Sequence, residues 1–436
     1  MENKEITDKT NKAHSNKSLK RQNPITLYET AWVMALAGTG LGAGVLYLPF
    51  AIGAGGFIPI IVLTLFSIPL VYLSHRNLSR ACLAPELSDS DIHSLIVGTF
   101  PPKISRVLLA VTFLSVFPTL LIYAIGITNI TESFIGNQLQ LPVPDISLLS
   151  AFLISLLVVI LAGGEKWLLR VASGMVTPLT VIMLCLAVYL IPFWNLDNLL
   201  YVPEQAEIWK VILFGLPVIT FSFYHAPMCS IMARGYRERN YSSNDSCSRT
   251  DKIHLLSTVL LFVVILFFVV SCLLCLTRAE VLASQHSNLP ILSVLANKSG
   301  NPWFAFVAPV IAFLSISTSF FGFFLGSVEL INVLLVNGVK KLTGAEVVTP
   351  KAVHRVSILL AFLGCWISAI GNWSILDAIV GLVAPMMAIV VFFIPLLAIY
   401  RLAGLTRFRN PTTDMYVLIS GGVVVFSFIL SLGTGS

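Results

Sequence analysis

Eleven apolar stretches, at about residues 30–50, 56–74, 106–134, 146–163, 171–191, 209–232, 254–276, 303–336, 354–370, 374–399 and 414–431, make up most of this chain. Most are close to the roughly 20 residues an α-helix needs to cross the hydrocarbon of a bilayer. A sequence that is 56% hydrophobic and 11% charged cannot hide that surface in a water-soluble fold of 436 residues. The pattern predicts an all-α integral membrane protein with 11 transmembrane helices, forming a single domain over residues 29–431 within the lipid bilayer. Residues 1–28, rich in Asn, Lys and Ser and unlike a cleavable signal, are expected to form a disordered cytoplasmic tail, and residues 432–436 an external one.

Charge sets the expected orientation. Arg76, Arg80, Lys103, Arg106, Lys166 and Arg170 fall in loops on one side of that arrangement, as does the Arg234–Lys252 loop with its five basic residues. The other side holds Lys210, Arg278 and Lys298 against Asp145, Asp197, Glu204 and Glu207. The positive-inside rule then predicts a cytoplasmic N-terminus and an external, periplasmic C-terminus. The formal charge of +6 is thereby explained by topology, and no nucleic-acid partner is expected. Cys272 and Cys275 have metal-like spacing, but they sit in an apolar stretch without a neighbouring His or Asp, so helix packing is expected.

Two stretches are interrupted. The first carries Gly38, Gly40, Gly42 and Gly44, which weaken a helix and admit close approach to the main chain. A broken helix survives at membrane depth only where its freed N–H and C=O groups are buried in protein or face a polar cavity. Small-residue packing between helices would produce the same glycine run. The sixth stretch has Pro217 and Pro227 with Thr220, Ser222, Tyr224 and His225 between them, either a second break or a kinked helix with packed hydroxyls. Breaks in stretches one and six are in corresponding positions if one to five and six to ten form two units. An odd number of crossings per unit makes the predicted 5+5 repeat inverted, an architecture whose substrate site lies at the paired breaks.

With these residues in view, the chain resembles the bacterial hydroxy and aromatic amino acid permeases, and most closely their serine and threonine symporters. The resemblance is carried by Gly38–Pro49, Tyr123–Asn129, Phe221–Pro227, Leu289–Asn297 and Ser319–Gly326. It implies an inner-membrane importer of the broken-helix fold, driven by an ion gradient, with L-serine or L-threonine as substrate. On that analogy the main chain around Thr39, Gly40, Gly42, Ala43 and Gly44 holds the substrate carboxylate. Carbonyls near Phe221 and Phe223 hold its ammonium, and Ser222, Tyr224 and His225 line the pocket. Family members commonly have Asn and Ser where this chain has Tyr224 and Ala226, so a bulkier, less polar pocket is expected. They usually carry Lys where Thr318 stands, and often His where Phe323 stands.

Without that lysine, the eighth stretch offers Ser315, Thr318 and Ser319 on one helix face. These hydroxyls are either ligands for a hard cation or donors to carbonyls one turn back in their own helix. Sodium and the proton both stay open as the coupling cation, and no other cofactor or metal is expected. Glu329, near the end of the same stretch, is either a gate or proton-linked residue or a hydrated carboxylate, and Asp377 has the same two readings. Secondary transport fits better than a channel, a receptor or an enzyme, because the polar residues gather at two breaks and His225 has no evident catalytic companion. A symporter for a larger neutral or aromatic amino acid and a non-transporting membrane sensor or scaffold are the alternatives.

Overall fold

The computed structural model describes residues 25–161, 165–284, 288–343 and 350–434. Every regular element among them is helical. The first apolar stretch is two helices, α1 (Leu27–Gly40) and α2 (Ala43–Ile52). There follow α3 (Phe57–Cys82), the short α4 (Ile92–Thr99), α5 (Pro102–Ser133), α6 (Ile146–Leu161) and α7 (Glu165–Tyr189). The sixth stretch is also two helices, α8 (Gln205–Ser222) and α9 (Ala226–Glu238). α10 (Ser243–Leu274) is followed by two short helices, α11 (Arg278–Ser284) and α12 (Ile291–Lys298), and then by α13 (Pro302–Thr343) and α14 (Pro350–Gly371). α15 (Ile375–Arg401) contains two π-helical turns, and α16 (Pro411–Thr434) completes the order.

Among the described residues, nine helical segments are long and apolar enough to cross a membrane, and ten if the bent pair α1/α2 counts as one. The chain is therefore a multi-pass membrane protein. The expected fourth span, α6, has 16 residues and is shorter than the others. The expected N-terminal tail lies outside the described residues up to position 24, and helix begins at Leu27. At the other end α16 reaches Thr434, beyond the expected limit at 431, because the last apolar run continues its helix.

Local sequence explains the ends that matter. Thr26 caps α1: its hydroxyl accepts from Glu29 N–H at 3.2 Å, and the Glu29 carboxylate accepts from Thr26 N–H at 2.8 Å. Such a reciprocal cap is worth about 1 kcal/mol and fixes where the helix starts. Glu29 also binds Arg249 of α10 at 2.7 Å, which ties the first helix to the seventh stretch. Pro217 cannot donate to the carbonyl of Leu213, one turn back in α8, and Ser427 of α16 donates to it instead at 2.9 Å.

In the core, α2 packs on α8, α3 on both α9 and α10, α1 on α10, α5 on α13, and α6 on α14.

Candidate functional site

The first break is a turn of 50° between α1 and α2. Leu41 ends α1, and Gly42, in an extended conformation, starts α2. The turn frees carbonyls of the last turn of α1, and α13 covers them. Ser315 donates to the Leu41 carbonyl, and Ser319 donates to the Thr39 carbonyl at 3.3 Å. Thr318 turns the other way and donates to Ser315 O in its own helix at 2.8 Å. The three hydroxyls expected to share a face therefore divide: two bridge to the broken helix and one is back-bonded.

Protein atoms approach all four glycines. A Cβ on Gly38 would strike Val176, and one on Gly40 would lie 3.0 Å from Leu261. On Gly42 it would run into the side chain of Ser319. On Gly44 it would lie 2.5 Å from Ser222 Cα and 2.9 Å from Phe221 Cδ1. Close helix packing, the alternative reading of this run, accounts for each glycine in this conformation. Gly44 also brings the two interrupted helices into contact. The Thr39 hydroxyl is back-bonded to Ala35 O at 2.9 Å, and Gly40 and Ala43 are buried.

The second break is the three residues Phe223, Tyr224 and His225. Its cause is Pro227, which has no N–H for the carbonyl of Phe223, four residues earlier. The His225 ring supplies the missing donor: its Nδ1 lies 2.8 Å from Phe223 O. The His225 main-chain N–H, outside the helix, donates to Nε2 of His75 on α3 at 3.2 Å. Thr220 and Ser222 are back-bonded to Leu216 and Val218 at 2.9 and 2.7 Å, so those two hydroxyls satisfy the packed-hydroxyl reading. The Tyr224 hydroxyl is buried near Ser115 of α5 without a hydrogen-bond partner. Aromatic rings close the space between the breaks: Tyr123 stands 6.2 Å from Phe221 and 5.2 Å from Phe323, and Tyr224 stands 6.2 Å from Phe323.

Glu329 is distant from the breaks, at the arginine-rich end. Its carboxylate is 3.8 Å from Arg234 of α9, and Arg234 also binds Asp91, before α4, at 3.0 Å. Arg80 of α3 grips Asp251 of α10 through two bonds of 2.9 and 2.6 Å. At the opposite end Asp377 lines a cavity of about 320 Å³ with Glu207 and Lys210. That cavity reaches Val218, one turn from Ser222.

One cluster is absent from the sequence reading. His225 does have companions: its ring stacks on His75 with centroids 3.7 Å apart and lies 6.0 Å from that of His254 on α10. All three rings are buried. The apolar stretches end at about 74 and begin at about 254, which put His75 and His254 at the edges of spans. The helices run on, α3 to Cys82 and α10 from Ser243, so both rings are interior. A histidine at the edge of an apolar run was the available signal.

The sequence profile described as the tryptophan/tyrosine permease family matches residues 30–433. The chain belongs to the tryptophan/tyrosine permease family. The serine transporter SdaC of Escherichia coli K12 is 32% identical over 412 residues, covering 93% of this chain and 95% of that one. The threonine/serine transporter TdcC of Yersinia enterocolitica is 29% identical over 427 residues, covering 93% and 96%. TdcC of Edwardsiella tarda is 28% identical over 424 residues. Membership makes the protein a permease rather than an enzyme, and the match spans both broken helices.

Proposed function

We propose that this permease is a symporter that carries a small neutral amino acid, L-serine or L-threonine, into the cell with a coupling cation. The observation that carries the proposal is the contact of the two broken helices at Gly44 and Ser222. It sets the N-terminus of α2, whose first N–H groups have no partner within the helix, beside the C-terminal carbonyls of α8. A zwitterion matches that pair of ends. Its carboxylate faces the main chain of Thr39 to Gly44 at the positive end of α2, and its ammonium faces the carbonyls of Phe221 to Phe223 at the negative end of α8. Ser222, Tyr224 and His225 then border the substrate side chain. The names of the relatives support serine and threonine as the first substrates to test.

Packing supports the finer topology of 11 spans with an inverted 5+5 repeat, α6 being the fourth span. Stretches one and six, two and seven, three and eight, and four and nine pack on one another as α2·α8, α3·α10, α5·α13 and α6·α14. Counterparts in two related units are expected to meet in this way. Loop charge supports a bacterial inner-membrane location with the arginine-rich end and N-terminus in the cytoplasm. Glu329, Arg234 and Asp91 then form an inner gate.

Both cations have a candidate seat. Ser315, Ser319 and the Thr39 and Leu41 carbonyls are oxygen ligands suited to Na+, with Thr318 beside them. Yet the Thr39 and Leu41 carbonyls each already have a hydroxyl donor, and this favours the proton. The aromatic border of Tyr123, Phe221, Tyr224 and Phe323 favours a second reading, a larger neutral or aromatic amino acid.

The test is uptake of labelled L-serine into proteoliposomes, with proton and sodium gradients imposed separately and other neutral amino acids as competitors. Accumulation above the external concentration is expected. Its absence under both gradients, with every amino acid tried, would overturn the proposal.

A further inference from the structure

We propose that His225 and His254 are where this permease binds its coupling proton, which His225 takes up on Nε2. The inference rests on the symport reading and names the ion of that same site. His75 Nε2 accepts from the His225 main chain, so its proton is on Nδ1, 3.0 Å from Val71 O. Both nitrogens of His75 are in use, and a second proton there would break the bond to the second interrupted helix. His75 is a positioning residue, stacked against the His225 ring.

His225 is different. Nδ1 donates to Phe223 O, which leaves Nε2 of the neutral ring as a bare lone pair, buried and without a partner. On α10, His254 Nε2 is 2.7 Å from the Ser79 hydroxyl, while its Nδ1 is buried with no partner. His225, His254 and Cys229 each bring a ring nitrogen or the sulfur to within 4.8 Å of the other two. The Cys229 thiol is given to His225 O at 3.4 Å. Adding one proton to His225 Nε2 turns an unsatisfied acceptor into a donor in the same cluster as His254, whose Nδ1 is also without a partner.

One feature of the surroundings favours a cation on the ring. The His225 ring is held by a carbonyl at the C-terminus of α8, the negative end of that helix. The groups facing the cluster are His75, Ser79 and Cys82 from α3, Tyr224 from the break, Cys229 from α9 and His254 from α10. Arg76 and Arg80 stand on the arginine-rich side, Arg80 bound to Asp251. Of the other helices packed here, α1 carries Tyr28 and Glu29, and α13 carries Glu329, all towards the arginine-rich end.

The coupling follows from one shared atom. Phe223 O accepts from His225 and belongs to the carbonyls proposed to hold the substrate ammonium. That oxygen has two lone pairs, one for the ring and one for the ammonium, so the proton site and the substrate site adjoin and the state of one bears on the other. The proton comes from water on one side and returns to water on the other when the break opens there, and no redox partner is involved.

Two measurements on the full-length permease test this. In sodium-free proteoliposomes, a gradient of about one pH unit supports about tenfold accumulation of a substrate moved with one proton. In His225→Gln and His254→Gln, the ratio of proton-driven accumulation to serine counterflow is expected to fall about tenfold, counterflow moving no net proton. Independently of transport, acid–base titration of the purified protein is expected to show one proton fewer bound by each variant than by the wild type between about pH 8 and pH 4, where histidines titrate. Size-exclusion elution and thermal unfolding identify a variant that has merely failed to fold, and the other variant then decides. Undiminished accumulation ratio and titration in either folded variant would overturn the proton site. A wild type that moves no amino acid but shows the lost proton in the titration would instead sink the symport reading.

Discussion

Gly44 and Ser222 touch through their main chains: a Cβ on Gly44 would lie 2.5 Å from Ser222 Cα and 2.8 Å from its Oγ. One missing side chain thus joins the two interrupted helices, and movement at either break must be felt at the other.

Gly44→Ala is expected to cost about 1–3 kcal/mol, because the contact is with main chain that cannot rotate aside. Serine uptake should fall with it. Gly322→Ala, with nothing within 4 Å of the new methyl, should change stability by less than about 1 kcal/mol. Thermal unfolding of the two variants side by side makes the comparison, and equal stability would place the helix contact elsewhere.

The hydroxyls of α13 should separate by role. Ser315→Ala leaves the buried Leu41 carbonyl without its donor and is expected to cost about 1–3 kcal/mol. Thr318→Ala loses only a bond within its own helix and should cost less than about 1 kcal/mol. Proton-driven uptake in sodium-free medium should survive in Thr318→Ala. A strict sodium requirement, raised in Thr318→Ala or Ser319→Ala, would assign this cluster to Na+ instead.

Pro227→Ala restores an N–H four residues after Phe223, in competition with the His225 ring for that carbonyl. The break should close towards continuous helix. Stability should change by no more than about 1 kcal/mol while transport falls sharply. Unchanged uptake kinetics would mean that the break does not depend on the proline.

For orientation, Asn244→Cys offers an exposed thiol just inside α10 that leaves the Ser242 cap intact. A membrane-impermeant thiol reagent should label it in inverted vesicles and leave it untouched in sealed cells. Labelling from outside would reverse the proposed topology.

Much of the fold was legible because burial in lipid demands long apolar runs, and loop arginines sort by side. Both interruptions were legible for the same reason: glycine clusters and prolines stand out where a spanning helix tolerates neither without compensation. The ends of helices were not. Hydropathy stops where side chains become polar, whereas α3 continues to Cys82 and α10 starts at Ser243 because each is covered by the other. His75 and His254 fell into that gap.

The sequence by itself determined that this chain is a multi-pass helical permease, narrowed its first and sixth stretches to a break or a close-packed or kinked helix, and put hydroxyls on the eighth stretch where relatives carry a lysine. These follow from local chemistry: which residues can sit in lipid, which cannot donate, and which lack a Cβ. The tertiary structure decided what meets at the breaks: Ser222 against Gly44, Ser315 and Ser319 over the freed carbonyls, and His75 and His254 beside His225. Those partners lie on helices far apart in sequence, and only packing sets which of their faces turn inward.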